Sequence, residues 1–250
     1  MANSSVDRVG INAPMKGLLV RVAADQSEGG GYWNGPVDPA TGQFTYVAIP
    51  ETQRLHPRLN KPYSGVSVAL TSLGSSLPTH LASGNMHLDP DFDHLTYGDQ
   101  GERAKQIRSK LSPGNLLVFY AGLQSGARAV GLVYALIGLY VIEDVTPALS
   151  VPPARRHQNA HTRRVLSAAA SDIVVRARKG VSGRLERCIP IGDFRSRAYR
   201  VFPHLLKTWG GLSVKNGYLQ RSARLPEFKN AAKFYDWFTA QKPSLIARNN

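Results

Sequence analysis

Residues 113–123 read PGNLLVFYAGL, and residues 130–143 read VGLVYALIGLYVIE. Both stretches are runs of apolar residues that are rich in β-branched and aromatic side chains, which is typical of buried strands. The Pro-Gly pair at the start of the first stretch indicates a turn. We therefore predict that residues 116–123 and 130–143 form the central strands of the fold.

Further elements are predicted on both sides of this centre. Apolar or alternating patterns predict strands at residues 17–23, 43–49, 172–178 and 184–191. Helices are predicted at residues 99–111, 157–170 and 226–241. The first of these helices should begin at Asp99, because Asp99 and Glu102 have the spacing of a capping box.

The order of these elements is mixed and lacks a regular strand–helix–strand alternation. Such an order favours an α+β fold with a mixed, curved sheet and flanking helices. The central segment resembles the curved barrels of PUA-like and EVE-like base-reading domains. The best candidate boundary is Val151-Pro152-Pro153, so we expect two parts, residues 1–150 and 151–250, within one compact unit.

The two parts differ strongly in charge. Residues 1–150 carry 11 Lys and Arg against 12 Asp and Glu, whereas residues 151–250 carry 20 against 5. A part this basic predicts binding to a polyanion, and we expect DNA. The alternatives are ordinary solvated faces and an anionic membrane, but no predicted helix has the amphipathic pattern of a membrane-surface helix. The candidate DNA-binding residues are Arg178, Lys179, Arg184, Arg187, Arg195, Arg197, Arg200 and Arg221.

Several classes of protein are excluded by composition. The single cysteine, Cys188, excludes a disulfide framework and a thiolate zinc site. The N-terminus lacks the layout of a signal peptide. The longest apolar run, residues 129–142, has 14 residues and is too short to cross a bilayer. We expect a cytoplasmic protein with no membrane association and no obligate protein partner.

The densest group of ionisable residues outside the basic part lies at residues 87–94, which read HLDPDFDH. Asp89, Asp91 and Asp93 alternate, so in an extended segment their carboxylates would share one side and raise one another's pKa. We interpret His87, Asp89 and Asp93 as candidate catalytic residues. The alternatives are turn chemistry and a loose divalent-cation site.

An EF-hand is excluded at this segment, because His94 and Gln100 occupy the positions that require Gly and Glu. His157 and His161 are four residues apart on a predicted helix, where four neighbouring arginines disfavour a metal ion. Apart from the loose divalent-cation site left as an alternative at residues 87–94, the sequence assigns no metal ligands.

A glycine-rich loop follows the first predicted strand. Asp25 ends that strand and precedes three consecutive glycines, so it is a further candidate catalytic residue. Tyr32 and Trp33 could stack on a flipped base, and Asn34 could read its edge; Tyr97 completes the candidate base-binding set. The alternative is a hairpin loop whose Trp packs on the core. The loop matches no phosphate-binding motif, and we predict no cofactor.

Two stretches resemble the third nucleotide-modification-associated domain family. The first is residues 21–50, with Asp25, the glycines and Ile49-Pro50; the second is residues 87–119, with His87-Leu-Asp89-Pro90, Tyr97-Gly98 and the stretch at 113–119. The resemblance covers about residues 17–125. It implies a role in bacterial and phage systems that handle hypermodified DNA bases, and it supports Asp25, His87 and Asp89 as site residues.

These observations lead to one favoured hypothesis about function. We predict a DNA glycosylase that cleaves the N-glycosidic bond of a flipped, modified base, with a role in defence against phages. One carboxylate would stabilise the positively charged sugar, and a second group would protonate the departing base. The alternatives are a non-catalytic reader of modified bases and a base-hypermodification enzyme.

Overall fold

One large mixed sheet dominates the computed structural model, which describes residues 14–25, 33–125, 131–219 and 222–250. The described strands are β1 (Gly17–Arg21), β2 (Pro36–Val37), β3 (Ile49–Pro50), β4 (Met86–His87), β5 (Thr96–Asp99), β6 (Leu116–Ser125), β7 (Leu132–Pro147), β8 (Ile173–Ala177), β9 (Gly183–Arg195), β10 (Ala198–Val201) and β11 (Leu245–Ile246). The described α-helices are α1 (Ser67–Thr71), α2 (Thr79–Ala82), α3 (Gly101–Lys110), α4 (Ala160–Arg163), α5 (Pro203–Thr208) and α6 (Ala231–Ala240).

The centre of the sheet is the antiparallel pair of β6 and β7. β1 joins the outer edge of β6 in parallel. β7 is 16 residues long, and its other edge pairs first with β9 and then with β8. β5 pairs with β8, and β10 and β11 pair with β9. Strands from residues 1–150 and from residues 151–250 are therefore hydrogen-bonded within the same sheet.

Strand alternation divides the interior into two cores. Along β6, Leu117 and Phe119 face a first core, and Val118 and Tyr120 face a second core. The first core includes the buried aromatic rings of Tyr46, Tyr63, Phe92, Tyr97 and Tyr140. The second core is covered by α5 and α6 and includes Trp209, Phe228, Phe234 and Phe238.

The predicted central strands and the α+β class with a mixed sheet are confirmed. The expected barrel of the PUA-like and EVE-like type is wrong for the described strands, which form an open sheet. The path of hydrogen-bonded strands runs from β1 through β6, β7 and β8 to β5, and its two ends do not pair with each other.

The strand predicted at residues 43–49 is mostly wrong. Residues 44–48 are buried, but only Ile49 is in a strand. The Thr45 amide donates to the Pro36 carbonyl, and the Tyr46 amide donates to the Asn250 side chain. These hydrogen bonds lead to several parts of the chain, so no continuous ladder forms.

The predicted helices are shorter than expected. Within residues 157–170 only Ala160–Arg163 is α-helical, because the Val165 amide pairs with the Arg54 carbonyl and the chain turns away. α6 begins at Ala231, because residues 226–228 are hydrogen-bonded to β1. α3 starts after Gln100 instead of Asp99, which is the last residue of β5. None of the described helices is long and apolar enough to cross a membrane.

Candidate functional site

A cavity of about 390 Å³ opens beside the end of β1 and the start of α3. β4, β5 and α4 also contribute to its wall. It is lined mainly by polar and charged side chains, which distinguishes it from the apolar cores. Its lining residues include Arg21, Thr52, Gln53, His87, Asp89, Tyr97, Gly98, Asp99, Gln100, Arg103, His161 and Arg164.

Three of the lining residues, His87, Asp89 and His161, form what we call the site cluster. His87 ends β4, Asp89 follows two residues later, and His161 lies on α4. One nitrogen or oxygen atom from each of the three lies within 4.8 Å of the other two. The two imidazole rings meet edge to face with their centroids 5.0 Å apart. Residues that are 74 positions apart in the chain thus converge on one point.

Each histidine of the site cluster is held by a carboxylate. Glu51 Oε2 lies 2.7 Å from His87 Nδ1, and Asp172 Oδ1 lies 2.6 Å from His161 Nδ1. A neutral histidine beside an ionised carboxylate carries its proton on the nitrogen that faces the carboxylate. In the neutral form of each ring, this pairing places the hydrogen on Nδ1 and leaves the lone pair on Nε2.

The carboxylate of Asp89 is held from two directions. The Gly98 amide donates to both of its oxygens, at 2.8 and 2.9 Å, and Asn159 Nδ2 donates to Oδ1 at 3.2 Å. Oδ2 lies 3.6 Å from His161 Nε2, which is longer than a hydrogen bond. The side chain is only 4% exposed, and burial raises the pKa of Asp89 to about 7.

Burial also changes the proton affinity of the groups beside Asp89. Burial lowers the pKa of His87 to about 4, so its imidazole is neutral at pH 7. At Glu51, burial acts to raise the pKa, but hydrogen bonds from His87 and Arg164 outweigh it and lower the pKa to about 2. A neutral imidazole therefore faces an ionised carboxylate, which agrees with the proton assignment above.

Gly98 allows β5 to approach α4 closely. A Cβ atom at this position would lie 2.7 Å from Asn159 Oδ1 and would overlap the ring of His161. Because any larger side chain would displace His161, the glycine is needed for the cluster to assemble.

Three arginines line the cavity around the site cluster, and each is held by an acid. Arg21 Nη2 is 2.9 Å from Asp25 Oδ2 and 2.7 Å from the Tyr134 hydroxyl. Arg103 pairs with Asp99, and Arg164 pairs with Glu51. Guanidinium groups fixed in this way are suited to bind an anionic group such as a phosphate.

The structure brings together some of the predicted catalytic residues. His87 and Asp89 line the cavity, but Asp25 and Asp93 are not among the residues that line it. Asp25 is buried against Arg21, and Asp93 is exposed and accepts a hydrogen bond from the Asn249 amide. The expectation of three carboxylates on one side is wrong, because the chain turns after Asp89 instead of staying extended.

Asp91 carries the second of the three alternating carboxylates at residues 87–94. It is buried, and it pairs with Arg163 and with His94. It therefore helps to fix the segment that carries the site cluster instead of joining the cluster.

The predicted base-binding residues lie in different surroundings. Tyr97 is buried in the cavity wall, where its hydroxyl donates to Asp99 and accepts from Arg103. Trp33 is half-buried and packs against the first core. Asn34 is buried and donates to the Gly122 carbonyl at 2.7 Å, so its amide group is not placed to read a base. Tyr32 lies outside the described residues.

Sequence reasoning missed His161 and the two carboxylates that orient the rings. The neighbouring arginines were expected to keep a metal ion away from His161, but Arg163 pairs with Asp91 and Arg164 with Glu51. The His-x-Asp spacing at residues 87–89 marks two members of the site cluster in the sequence. No local pattern marks the third member, His161 on α4.

The predicted DNA-binding residues divide into two groups. Arg178, Lys179, Arg187 and Arg197 are exposed. The others are engaged with the protein or lie outside the described residues: Arg195 pairs with Asp193, Arg200 covers the Tyr218 ring, Arg184 is buried, and Arg221 is not described. The expectation that Arg184 contacts DNA is wrong, because its buried guanidinium packs over Phe44 and donates to the Arg248 carbonyl.

Comparisons with known proteins agree with the resemblance noted from the motifs. Neither the curated proteins nor the solved structures gave a match. The profile of a family described as nucleotide modification associated domain 3 matches residues 16–238. The match is longer than the 17–125 expected from the motifs, and it includes β8, β9, α4 and most of the basic part. The chain therefore belongs to the nucleotide modification associated domain 3 family.

Proposed function

We propose that this protein is an enzyme that acts on a modified base in DNA, and that its reaction is hydrolysis of the N-glycosidic bond. The observation that carries this proposal is the convergence of His87, Asp89 and His161 at the cavity wall, with both rings oriented by carboxylates. Family membership supports a connection with modified nucleotides.

The ionisable groups favour an enzyme over a non-catalytic reader. A reader needs aromatic surfaces and hydrogen-bonding groups, and burying extra carboxylates would only destabilise it. Here Asp89 is buried with a raised pKa, and two carboxylates fix the orientation of the two histidines. Groups with displaced pKa values in a cavity are typical of active sites.

The cavity is suited to hold one flipped nucleotide beside a reactive water. Its volume of about 390 Å³ falls within the usual range of small-molecule sites. Arg21, Arg103 and Arg164 would bind the flanking phosphates, because they line the same cavity. The exposed cations of the basic part, such as Arg178 and Lys179, would hold the rest of the strand.

Hydrolysis requires a water molecule at the point on which the site cluster converges. Its oxygen forms a bond to C1′ of the sugar as the bond from C1′ to the base breaks, and the bonding electrons leave with the base. The water gives one proton to an acceptor atom of the site cluster, and the base takes up a proton from solvent. In its ionised form, Asp89 would stabilise the positive charge that develops on the sugar.

A base-modifying reaction is the second candidate. The observation that favours it is the combination of two histidines and one aspartate, because this set occurs in metal-dependent oxygenases. Such an enzyme would change the base and leave the glycosidic bond intact.

One experiment separates these functions. Phage DNA and oligonucleotides with defined modified bases are incubated with the protein, and mass spectrometry measures free base, abasic sites and newly modified nucleosides. We expect base release that is lost in Asp89→Asn and His161→Gln and retained in the exposed control His204→Gln. New nucleosides without base release would establish the second candidate, and DNA binding with neither product would establish a reader.

A further inference from the structure

We propose that His87, Asp89 and His161 bind one divalent transition-metal ion through His87 Nε2, the Asp89 carboxylate and His161 Nε2. This inference concerns the same cavity as the proposed function. It does not rest on any reaction, because an ion can be detected in the absence of DNA.

The electrostatics of the site cluster call for a cation. The Glu51 and Asp172 carboxylates hold the Nδ1 hydrogens, so both Nε2 atoms present lone pairs. The third member is a carboxylate. Three groups that can each donate a lone pair to a cation thus converge on one point.

The distances are compatible with coordination. Zinc and similar ions lie about 2.0–2.2 Å from imidazole nitrogen and carboxylate oxygen, so two ligands at 90–120° are about 2.8–3.8 Å apart. His161 Nε2 and Asp89 Oδ2 are separated by 3.6 Å, and one nitrogen or oxygen atom of each of the three residues lies within 4.8 Å of the other two. Small rotations of the side chains would close the remaining gap.

The groups behind the ligands have the arrangement of an outer coordination shell. A metal-bound histidine usually donates its other ring N–H to a carboxylate or carbonyl, which fixes the ring and its tautomer. His87 does so to Glu51, and His161 does so to Asp172. Asp89 is held by the Gly98 amide and Asn159, so all three ligands are oriented before an ion arrives.

The chemistry of the ligands selects the class of ion. Calcium and magnesium prefer oxygen ligands, whereas imidazole suits zinc, iron, copper and nickel. Three protein ligands leave coordination positions open, and the site cluster faces the cavity. Open positions are typical of catalytic metal sites, while structural sites are closed by a fourth protein ligand.

An ion at this point would replace part of the proposed mechanism, because its three ligands would no longer be free to accept a proton or to stabilise the sugar. The ion itself would bind the water that the reaction needs and lower the pKa of that water. The arginines that line the same cavity would remain available for phosphate.

Metal binding can be tested directly on the full chain, purified without a histidine tag and treated with chelator. Calorimetry with Zn²⁺ or Mn²⁺ alone gives stoichiometry and affinity, and the visible spectrum of the Co²⁺ protein reports the ligands. We expect one ion per chain and a higher melting temperature in its presence. Binding should be lost in His87→Ala and His161→Ala and retained in the exposed control His80→Gln.

A graded variant keeps the test valid if a ligand variant fails to fold. Glu51→Gln and Asp172→Asn keep all three ligands and should weaken binding about 10–100-fold, the usual effect of losing an outer-shell partner. Absence of ion binding in the folded wild-type chain, or equal binding in all variants, would overturn the inference. Ion binding without base release would contradict only the proposed hydrolysis.

Discussion

The two cores on either side of the central sheet are built from different chemistry. The second core, under α5 and α6, is a continuous aromatic group in which Trp209 contacts Phe228, Phe234 and Trp237. The first core is also apolar, but its edge meets a layer of buried ion pairs and the site cluster. The second core is thus mainly a packing region, although the Arg21–Asp25 ion pair reaches its Tyr134, whereas the ion pairs around the site cluster lie beside the first core.

This difference indicates how stability and chemistry are divided in the molecule. Apolar packing stabilises without directional requirements, whereas buried charges are stable only when each has its partner. We therefore expect that damage to the second core reduces folding and leaves the site intact in the folded molecules. Damage near the site cluster should change metal binding as well as stability.

The largest expected effect is on stability. Trp209 is fully buried, and Trp209→Ala should lower the free energy of unfolding by about 3–5 kcal/mol, because it leaves a large cavity. Denaturant unfolding measures this loss, with the partly buried Trp237→Ala as the milder control. The folded fraction should bind a metal ion with unchanged affinity, and a weaker affinity would show that the two regions are coupled.

Compared with Trp209→Ala, we expect Gly98→Ala to reduce stability less and to reduce metal-ion affinity more. The new methyl group must displace His161 or Asn159, so ion affinity should fall about 10–100-fold, as for loss of an orienting partner. Overpacking should destabilise the fold by about 1–3 kcal/mol. Calorimetry and denaturant unfolding measure the two effects.

Gly65→Ala is the matched control for this variant, because a Cβ at Gly65 has no atom within 4 Å. Equal ion affinity in Gly98→Ala and in wild type would contradict the placement of His161 beside β5.

Removing the exposed cations of the basic part should change neither the stability of the second core nor metal binding at the site cluster. Arg178→Ala combined with Lys179→Ala should reduce the slope of log affinity for DNA against log salt by about 2, since each phosphate contact contributes about 0.9. Fluorescence anisotropy at several salt concentrations measures the slope. Arg108→Ala, an exposed cation on α3, is the control, and an unchanged slope in the double variant would remove these residues from the interface.

The smallest expected effect is on the reactivity of the Cys188 thiol, which lies in the first core. Burial raises the pKa of Cys188 to about 12, so at pH 8 nearly all of this thiol is protonated and unreactive. Reaction with a chromogenic disulfide should be slow in the native protein and fast in denaturant. In Trp209→Ala the rate should rise only in proportion to the unfolded fraction, whereas fast reaction of the native protein would mean that the first core opens locally.

The sequence was a good guide where structure follows from local pattern. The apolar stretches at 116–123 and 130–143 predict the central strands, because burial on both faces needs apolar side chains at every position. The same logic fails at residues 157–170, where a helical spacing is interrupted after Arg163. Arg163 and Arg164 turn to distant acids there, and no local pattern records such pairings.

The candidate site was only partly predictable for the same reason. His87 and Asp89 stand out because they lie close together in the chain. Glu51 lies in a loop, His161 on a short helix and Asp172 just before β8, and they meet through contacts that only the folded chain creates. Asp93 shares its pattern with Asp89, yet it is exposed because the chain turns between them.

The long strand β7 has a further consequence for how the chain can be divided. Its partners on one edge, β8 and β9, both follow the Val151-Pro152-Pro153 segment, while its partner on the other edge, β6, precedes it. A cut at this segment would leave β7 in one fragment with an unpaired edge. The other fragment would contain β8 and β9 without the strand to which both are hydrogen-bonded. Fragments 1–150 and 151–250 should therefore be insoluble apart and reassemble when they are produced together, as in a split reporter protein.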